Sequence, residues 1–245
     1  MNAAVFLSDL KKSFFKTEIL KGINFSVDPG EIFGLIGHDG SGKTTILRIL
    51  SGVYRPDSGE VAIFDLNVKK DIQKIKPRLG YMSQTFGLYP DLTVEENLDF
   101  FADIFGVDEK NKTEKKAQIL EFSRLDHFRK RQARYLSGGI YKKLALGCTL
   151  IHNPDLLLLD EPTAGVDPVS RQEFWKIIGS IHSQTTIIVT THYMEEAAKC
   201  DRVALLYQGK IIECDRPAEL LKKFPQKIYA FKYPNPFELF QFLRD

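Results

Sequence analysis

The sequence predicts an α/β protein in which a mainly parallel sheet is covered by helices on both faces. Three observations predict it. Short apolar runs of strand length, at residues 31–36 and 156–159, read as buried strands. Segments with helical spacing alternate with them along the chain, the order that builds parallel sheets. A glycine-rich loop sits between one such strand and a helix, at residues 37–42. With 245 residues, 43% of them hydrophobic, the chain is long enough for one large domain with a substantial core.

In chain order, the alternation Gly22-Ile23-Asn24-Phe25-Ser26-Val27 reads as a half-buried strand, and Asp28-Pro29-Gly30 as a turn. Residues 31–36 (EIFGLI) then form a buried strand that enters the glycine-rich loop, with a helix starting near Lys43. Arg55-Pro56-Asp57-Ser58-Gly59 carries turn chemistry ahead of another strand, and residues 79–83 form one more. The strongest helix is 93–105. Thr93 and Glu96 have capping-box spacing, and Leu98, Phe101, Ala102 and Phe105 recur on one face. From about 85 to 153 the chain is mostly helical and polar-faced, a helical insert within the α/β core. Strands return at 155–159 and 185–190. A hairpin of 202–207 and 210–214 follows, turning at Gln208-Gly209.

A net charge of +2 sets up no global field toward nucleic acid or an acidic membrane. The basic clusters at 69–78 and 129–134 are short and interrupted, and read as solvated surface. Cys148, Cys200 and Cys214 lack paired spacing, so isolated reduced thiols are expected rather than a disulfide or a zinc site. No run approaches the ~18 consecutive apolar residues of a membrane span. Charges directly after the short apolar N-terminal stretch argue against a signal peptide. The chain itself is expected in the cytoplasm, with any membrane role exercised through a partner.

Gly37-His38-Asp39-Gly40-Ser41-Gly42-Lys43-Thr44 fits G-x-x-x-x-G-K-[ST] between a strand and a helix. Glycines let the backbone curl so that successive N–H groups face phosphate oxygens, and the helix N-terminus adds partial positive charge. Lys43 supplies a point charge, and the Thr44 hydroxyl is a hard ligand suited to Mg²⁺. Alone, the loop identifies a nucleotide phosphate site without choosing a reaction. Downstream, Leu156-Leu157-Leu158-Leu159-Asp160-Glu161 is a buried strand ending in two acids. Asp160 is placed to hold Mg²⁺ through water, and Glu161 to polarise an attacking water as general base.

Between these elements lies Leu136-Ser137-Gly138-Gly139-Ile140, ahead of a helix. LSGG, then LLLLDEPTAGVDP, then a His after a TIIVTTH strand, resembles the motif order of ABC transporter nucleotide-binding domains, over about Val5 to Leu221. GLYPDLTVEENL and TTHYMEEA resemble most the ATPases of multidrug and polysaccharide efflux systems. The resemblance implies a P-loop NTPase core, an N-terminal antiparallel β subdomain and a helical insert carrying LSGG. It implies a nucleotide-binding domain over 1–222, with 223–245 as a C-terminal extension.

The resemblance also implies site roles. Gln84 would contact Mg²⁺ and sense the γ-phosphate, as a metal ligand beside Thr44 and Asp160. His192 would reach the γ-phosphate and steady the water beside Glu161. Residues 37–44 and the following Thr45 would cradle ATP, with Phe14 (favoured over Phe15) stacked on adenine. Ser137, Gly138 and Gly139 would meet ATP bound by a partner copy, and 164–167 would communicate between the two sites. The implied assembly is an ATP-sandwiched homodimer or pseudo-symmetric heterodimer, docked through the Gln84 region on a transmembrane permease. That places it at the inner face of the plasma (inner) membrane, without nucleic acid. A soluble ribosome- or DNA-directed ABC protein is the competing expectation, disfavoured by the short gap between the loop and LSGG and by the near-neutral charge. A catalytically dead regulatory domain is disfavoured by the presence of Glu161 and His192.

Two departures from the family stand out. His38-Asp39 replaces the commoner Pro-Asn, and Ile140 replaces the usual Gln after LSGG. In the tail, residues 227–233 (KIYAFKY) alternate like a strand, and Phe237, Phe240 and Leu243 form a short apolar stripe. The expectation there is the opening of an appended lobe in a polypeptide that continues beyond Asp245.

Overall fold

The computed structural model describes residues 3–223, so the expected strand and stripe at 227–243 lie outside the described residues. The N-terminal alternation builds β1 (Val5–Phe14) and β2 (Thr17–Val27), an antiparallel pair with Val5 opposite Val27 and Phe14 opposite Thr17. Ile23, Phe25 and Val27 are buried while Asn24 between them is exposed, as period-two burial requires. Register shifts within β1, between Leu7 and Leu10, explain why its alternation is harder to read.

β3 (Ile32–Ile36) is buried at all five positions and leads through the glycine loop into α1 (Lys43–Leu50). β4 (Ser58–Ile63) returns beside β1, and β5 (Leu66–Asn67) closes a four-stranded antiparallel sheet in the order β2-β1-β4-β5. α2 (Val68–Ile75) carries the chain to β6 (Leu79–Met82). The insert holds α3 (Val94–Ile104), α4 (Glu109–Phe122) and α5 (Gly138–Leu150). Beyond it lie β7 (Leu156–Asp160), α6 (Pro168–Ile181), β8 (Thr186–Thr191), the short α7 (Met194–Ala197), β9 (Arg202–Tyr207), β10 (Lys210–Asp215) and α8 (Pro217–Lys222).

The second sheet runs β10-β9-β3-β8-β7-β6, parallel throughout except for β10 at its edge. The expected α/β class with a mainly parallel sheet and an antiparallel N-terminal sheet is therefore present. Parallel neighbours end on one edge, so the segments after β3, β7 and β8 emerge side by side. That edge is where α/β sheets place ligands, and here it gathers residues 37–42, Glu161 and His192.

Helix content between 85 and 153 is lower than the sequence suggests. Residues 85–93 and 123–137 hold only short 3₁₀ turns, at Asp126–Phe128 and Ala133–Tyr135. These two stretches satisfy each other's backbone instead, through Ala133 N to Leu92 O and Arg134 N to Pro90 O. The Thr93–Glu96 capping box is formed, with Thr93 N donating to Glu96 Oε2 at 2.7 Å and Glu96 N to Thr93 Oγ1 at 3.2 Å. Of the expected stripe, Leu98 and Ala102 are fully buried. Phe105 instead remains 40% exposed, stacked on His152 at 3.9 Å.

Apolar packing divides into three groups. One joins the antiparallel sheet and α1 to one face of the parallel sheet, and the second fills the other face with α6. The third is the core of the insert. α5 contributes Ala145, Leu146 and Leu150 to the second and Leu144 and Cys148 to the third, where Ile151 just past its end also lies, so one helix links the two groups. Among the described residues no helix is long and apolar enough to cross a membrane.

The cysteines are free. Burial pushes the Cys148 thiol well above its usual range and that of Cys200 up to about 12; it raises Cys214 too, but that thiol is only half-buried. A thiol reagent at about pH 8 is expected to label Cys214 in the native protein and the other two only after unfolding, because thiolate character and access govern the rate. Mass spectrometry of the labelled peptides checks this, and fast native labelling of Cys148 would contradict it.

Candidate functional site

The loop after β3 is shaped by glycines that no other residue replaces. Gly42 has φ 112°, and a Cβ there would meet Leu20 Cδ2 at 2.7 Å. A Cβ on Gly37 would lie 2.3 Å from Leu206 O. Lys43 opens α1 and is only 4% exposed. Its ammonium donates to Gly37 O at 2.8 Å and His38 O at 3.1 Å. Glu161 Oε1 is 3.5 Å from it and Asp39 Oδ1 3.8 Å.

β7 ends on Asp160, 1% exposed, whose Oδ1 accepts from Thr44 Oγ1 at 3.0 Å and from Thr190 Oγ1 at 2.8 Å. Register pairs Asp160 with Thr190 across β7 and β8. The buried carboxylate also acts on its surroundings: burial first, then the charge of Asp160, pushes up the pKa of the Tyr81 hydroxyl. Glu161 has φ 46°, a left-handed conformation that costs a non-glycine residue energy and that clusters at functional sites. Its N–H donates to Thr190 Oγ1 at 2.9 Å, which helps hold the strained turn. Its carboxylate accepts from Gln84 Nε2 at 3.3 Å and lies 3.7 Å from His192 Nδ1. Thr190 was not singled out from the sequence, where it reads as one more β-branched strand residue.

A cleft of about 390 Å³ opens beside these groups, lined by Phe14, Ile19, Asp39, Gly40, Gly42, Lys43, Thr44, Thr45, Gln84 and Glu161. Phe14 meets Tyr54 edge-on at 5.1 Å, and Lys12 Nζ lies 5.3 Å from its ring. Phe15 is fully exposed and is not among the lining residues. Of the two aromatics weighed from sequence, the cleft takes Phe14. Ile19 adds an apolar contact to the lining, and Asp39 a second carboxylate beside Glu161. Asp39, Glu161 and His192 offer ligand atoms within 4.8 Å of one another.

Other expected site residues stand apart from the cleft. His38 bonds the Asp39 carbonyl through Nδ1 at 2.6 Å and sits edge-on to Tyr207 at 5.5 Å. Ser41 is fully buried within the loop. Ser137, Gly138 and Gly139 open α5 and do not line the cleft. Gly139 packs on α6, where an added Cβ would fall 2.3 Å from Ser170 Oγ. Ile140 packs against the insert core.

α5 is nevertheless wired to the Gln84 segment. The Tyr141 hydroxyl donates to Phe86 O at 2.7 Å and accepts from Leu88 N at 3.1 Å, and Lys142 Nζ donates to Gln84 O at 3.0 Å. Burial lowers the Lys142 pKa, only partly offset by the charge of Asp160. Tyr141→Phe keeps the ring and strips both bonds, leaving two backbone groups unpaired. It is expected to cost about 1–2 kcal/mol, read in chemical denaturation. An unchanged midpoint would show that the clamp is not used.

Three comparisons bear on this arrangement. Residues 20–164 match the family described as ABC transporter. The chain is 41% identical over 213 residues, 86% of its length, to the probable multidrug ABC transporter ATP-binding protein YbhF of Escherichia coli (strain K12), and spans only 37% of that protein. It is 36% identical over 217 residues to the linearmycin resistance ATP-binding protein LnrL of Bacillus subtilis (strain 168), covering 88% of this chain and 70% of the relative. Among solved structures, that of cbiO1 from Clostridium perfringens, part of the ABC transporter complex cbiONQ, superposes with a TM-score of 0.84 at 26% identity, covering 91% of this chain and 92% of that one. On sequence and on fold, the chain belongs to the ABC transporter family.

Proposed function

We propose that the chain is the ATP-hydrolysing motor of an ABC export system, with Glu161 as the general base. One observation carries the reading: Glu161 is held in a left-handed turn, 3.5 Å from the Lys43 ammonium and 3.7 Å from His192. In this reading the loop amides and Lys43 bind the β- and γ-phosphates, and Phe14 stacks on the base. Glu161 takes a proton from water as that water attacks the γ-phosphorus, and the bond to the bridging oxygen breaks to give ADP and phosphate. His192 orients the same water. The Thr44 hydroxyl and Asp160 carboxylate, 3.0 Å apart, together with Gln84, are the hard donors that suit Mg²⁺. Bound there, Mg²⁺ supplies charge neutralisation to the phosphates.

Ser137, Gly138 and Gly139 lie outside the cleft of their own copy, which supports their meeting ATP across a dimer of such domains. ATP touching both halves only in the closed state has the differential affinity that shifts the population toward closure. A permease partner, reached through the 84–92 segment clamped by Tyr141, then turns closure into transport at the inner face of the membrane. Similarity to multidrug and linearmycin resistance ATPases supports export as the direction. The test combines phosphate release with sizing chromatography, with Mg-ATP and with ATP plus EDTA. Hydrolysis only with Mg²⁺, and an ATP-dependent rise in mass, is expected. Binding of ATP with no hydrolysis and no change of mass, alone and with its permease, would overturn the proposal.

A further inference from the structure

Past the end of β7, the backbone ties Glu161 to β8 through Glu161 N donating to Thr190 O at 3.2 Å. A buried carboxylate outside the cleft reaches both this turn and the one that carries His192. Glu196, in α7, is 1% exposed. It accepts hydrogen bonds from Thr163 Oγ1, two residues after Glu161, and from Thr191 Oγ1 at 2.6 Å, one residue before His192. Thr191 Oγ1 in turn accepts from Tyr193 N at 3.0 Å, so the backbone is gripped on both sides of His192. Arg171 of α6 completes the set. Its Nε lies 3.7 Å from Glu196 Oε1, its guanidinium covers the Tyr193 ring at 3.8 Å, and Nη2 reaches Val166 O at 3.4 Å.

A carboxylate is costly to bury unless it is paired and hydrogen-bonded, and this one is satisfied only when both turns present their hydroxyls together. We propose that Glu196 is a positioning residue for hydrolysis, a brace that fixes the separation of Glu161 and His192 and ties it to the 164–167 loop. The inference rests on the reading of Glu161 and His192 as the groups that act on the attacking water. Among the described residues the Glu196 carboxylate bonds to Thr163, Thr191 and Arg171 and not to the phosphate cradle. Misplacing catalytic groups costs turnover steeply, whereas ATP binding is left to Lys43 and the loop.

The experiment compares Glu196→Gln and the double variant Thr163→Val/Thr191→Val with the hydroxyl-retaining Thr163→Ser/Thr191→Ser, with Glu195→Gln as an exposed control. Steady-state kinetics and thermal unfolding are read on each. Expected is a drop in kcat of about tenfold to a hundredfold for Glu196→Gln and the valine pair, with KM for ATP within about twofold. The serine pair restores kcat, and the control matches wild type. Wild-type kcat in both test variants, or kcat, ATP affinity and melting temperature falling in parallel, overturns the brace while leaving the motor standing. A wild type that never hydrolyses ATP overturns the motor and the brace with it.

Discussion

Glu161→Gln is expected to lower ATP turnover by about a hundredfold to ten-thousandfold while ATP remains bound. The amide keeps the size and the planar shape of the side chain, and the strained φ of 46° is held from the backbone by Thr190, not by the carboxylate. What disappears is the proton acceptor. Lys43 also loses one anionic neighbour at 3.5 Å, but retains two carbonyls and Asp39. Phosphate binding should therefore hold or tighten, since one negative charge leaves a site that receives several. The variant is then the form in which an ATP-closed dimer accumulates, visible as a higher mass on sizing with Mg-ATP. Hydrolysis at the wild-type rate would remove Glu161 from the base role. Loss of ATP binding together with turnover would place it in the cradle instead.

How much of this was legible beforehand depends on the reach of each signal. Contiguous motifs carried the cradle: glycines, Lys43 and Thr44 act within a few residues of one another, so their spacing states their geometry. Strand β3, buried at every position, and the capped helix at Val94–Ile104 were legible for the same reason. Groups joined across the sheet were not. Thr190 reaches Asp160 only because β7 and β8 pair in register, and Tyr141 reaches Phe86 only once the insert has folded back. Glu196 lies 33 residues from Thr163, and nothing in TTHYMEEA distinguishes it from the exposed Glu195 beside it. Residues 123–137 are polar enough to suit an exposed helix, whereas 85–93 carries the breakers Gly87 and Pro90, and the two stretches bond to each other instead.

Lys43→Ala tests the other half of the site, and its signature should be the inverse. Among the described residues Lys43 is the one ammonium placed against Asp39 and Glu161, with the carboxylate of Asp160 close by through Thr44. Removing it leaves a cleft with excess negative charge facing a polyanion, and strips the charge-assisted bonds the phosphates would take. Such bonds are worth about 1.5–3 kcal/mol each, so ATP affinity should fall by about tenfold to a hundredfold or more, with turnover undetectable. Arginine should not rescue it, because a planar fork cannot replace a point charge that is 4% exposed and bonded to two loop carbonyls. Calorimetric titration with Mg-ATP decides the matter when read beside the melting temperature. Near-wild-type affinity in a folded Lys43→Ala protein would move the phosphate site elsewhere. A variant that binds no ATP yet melts like wild type, set against a Glu161→Gln protein that binds and does not turn over, separates cradle from chemistry within one cleft.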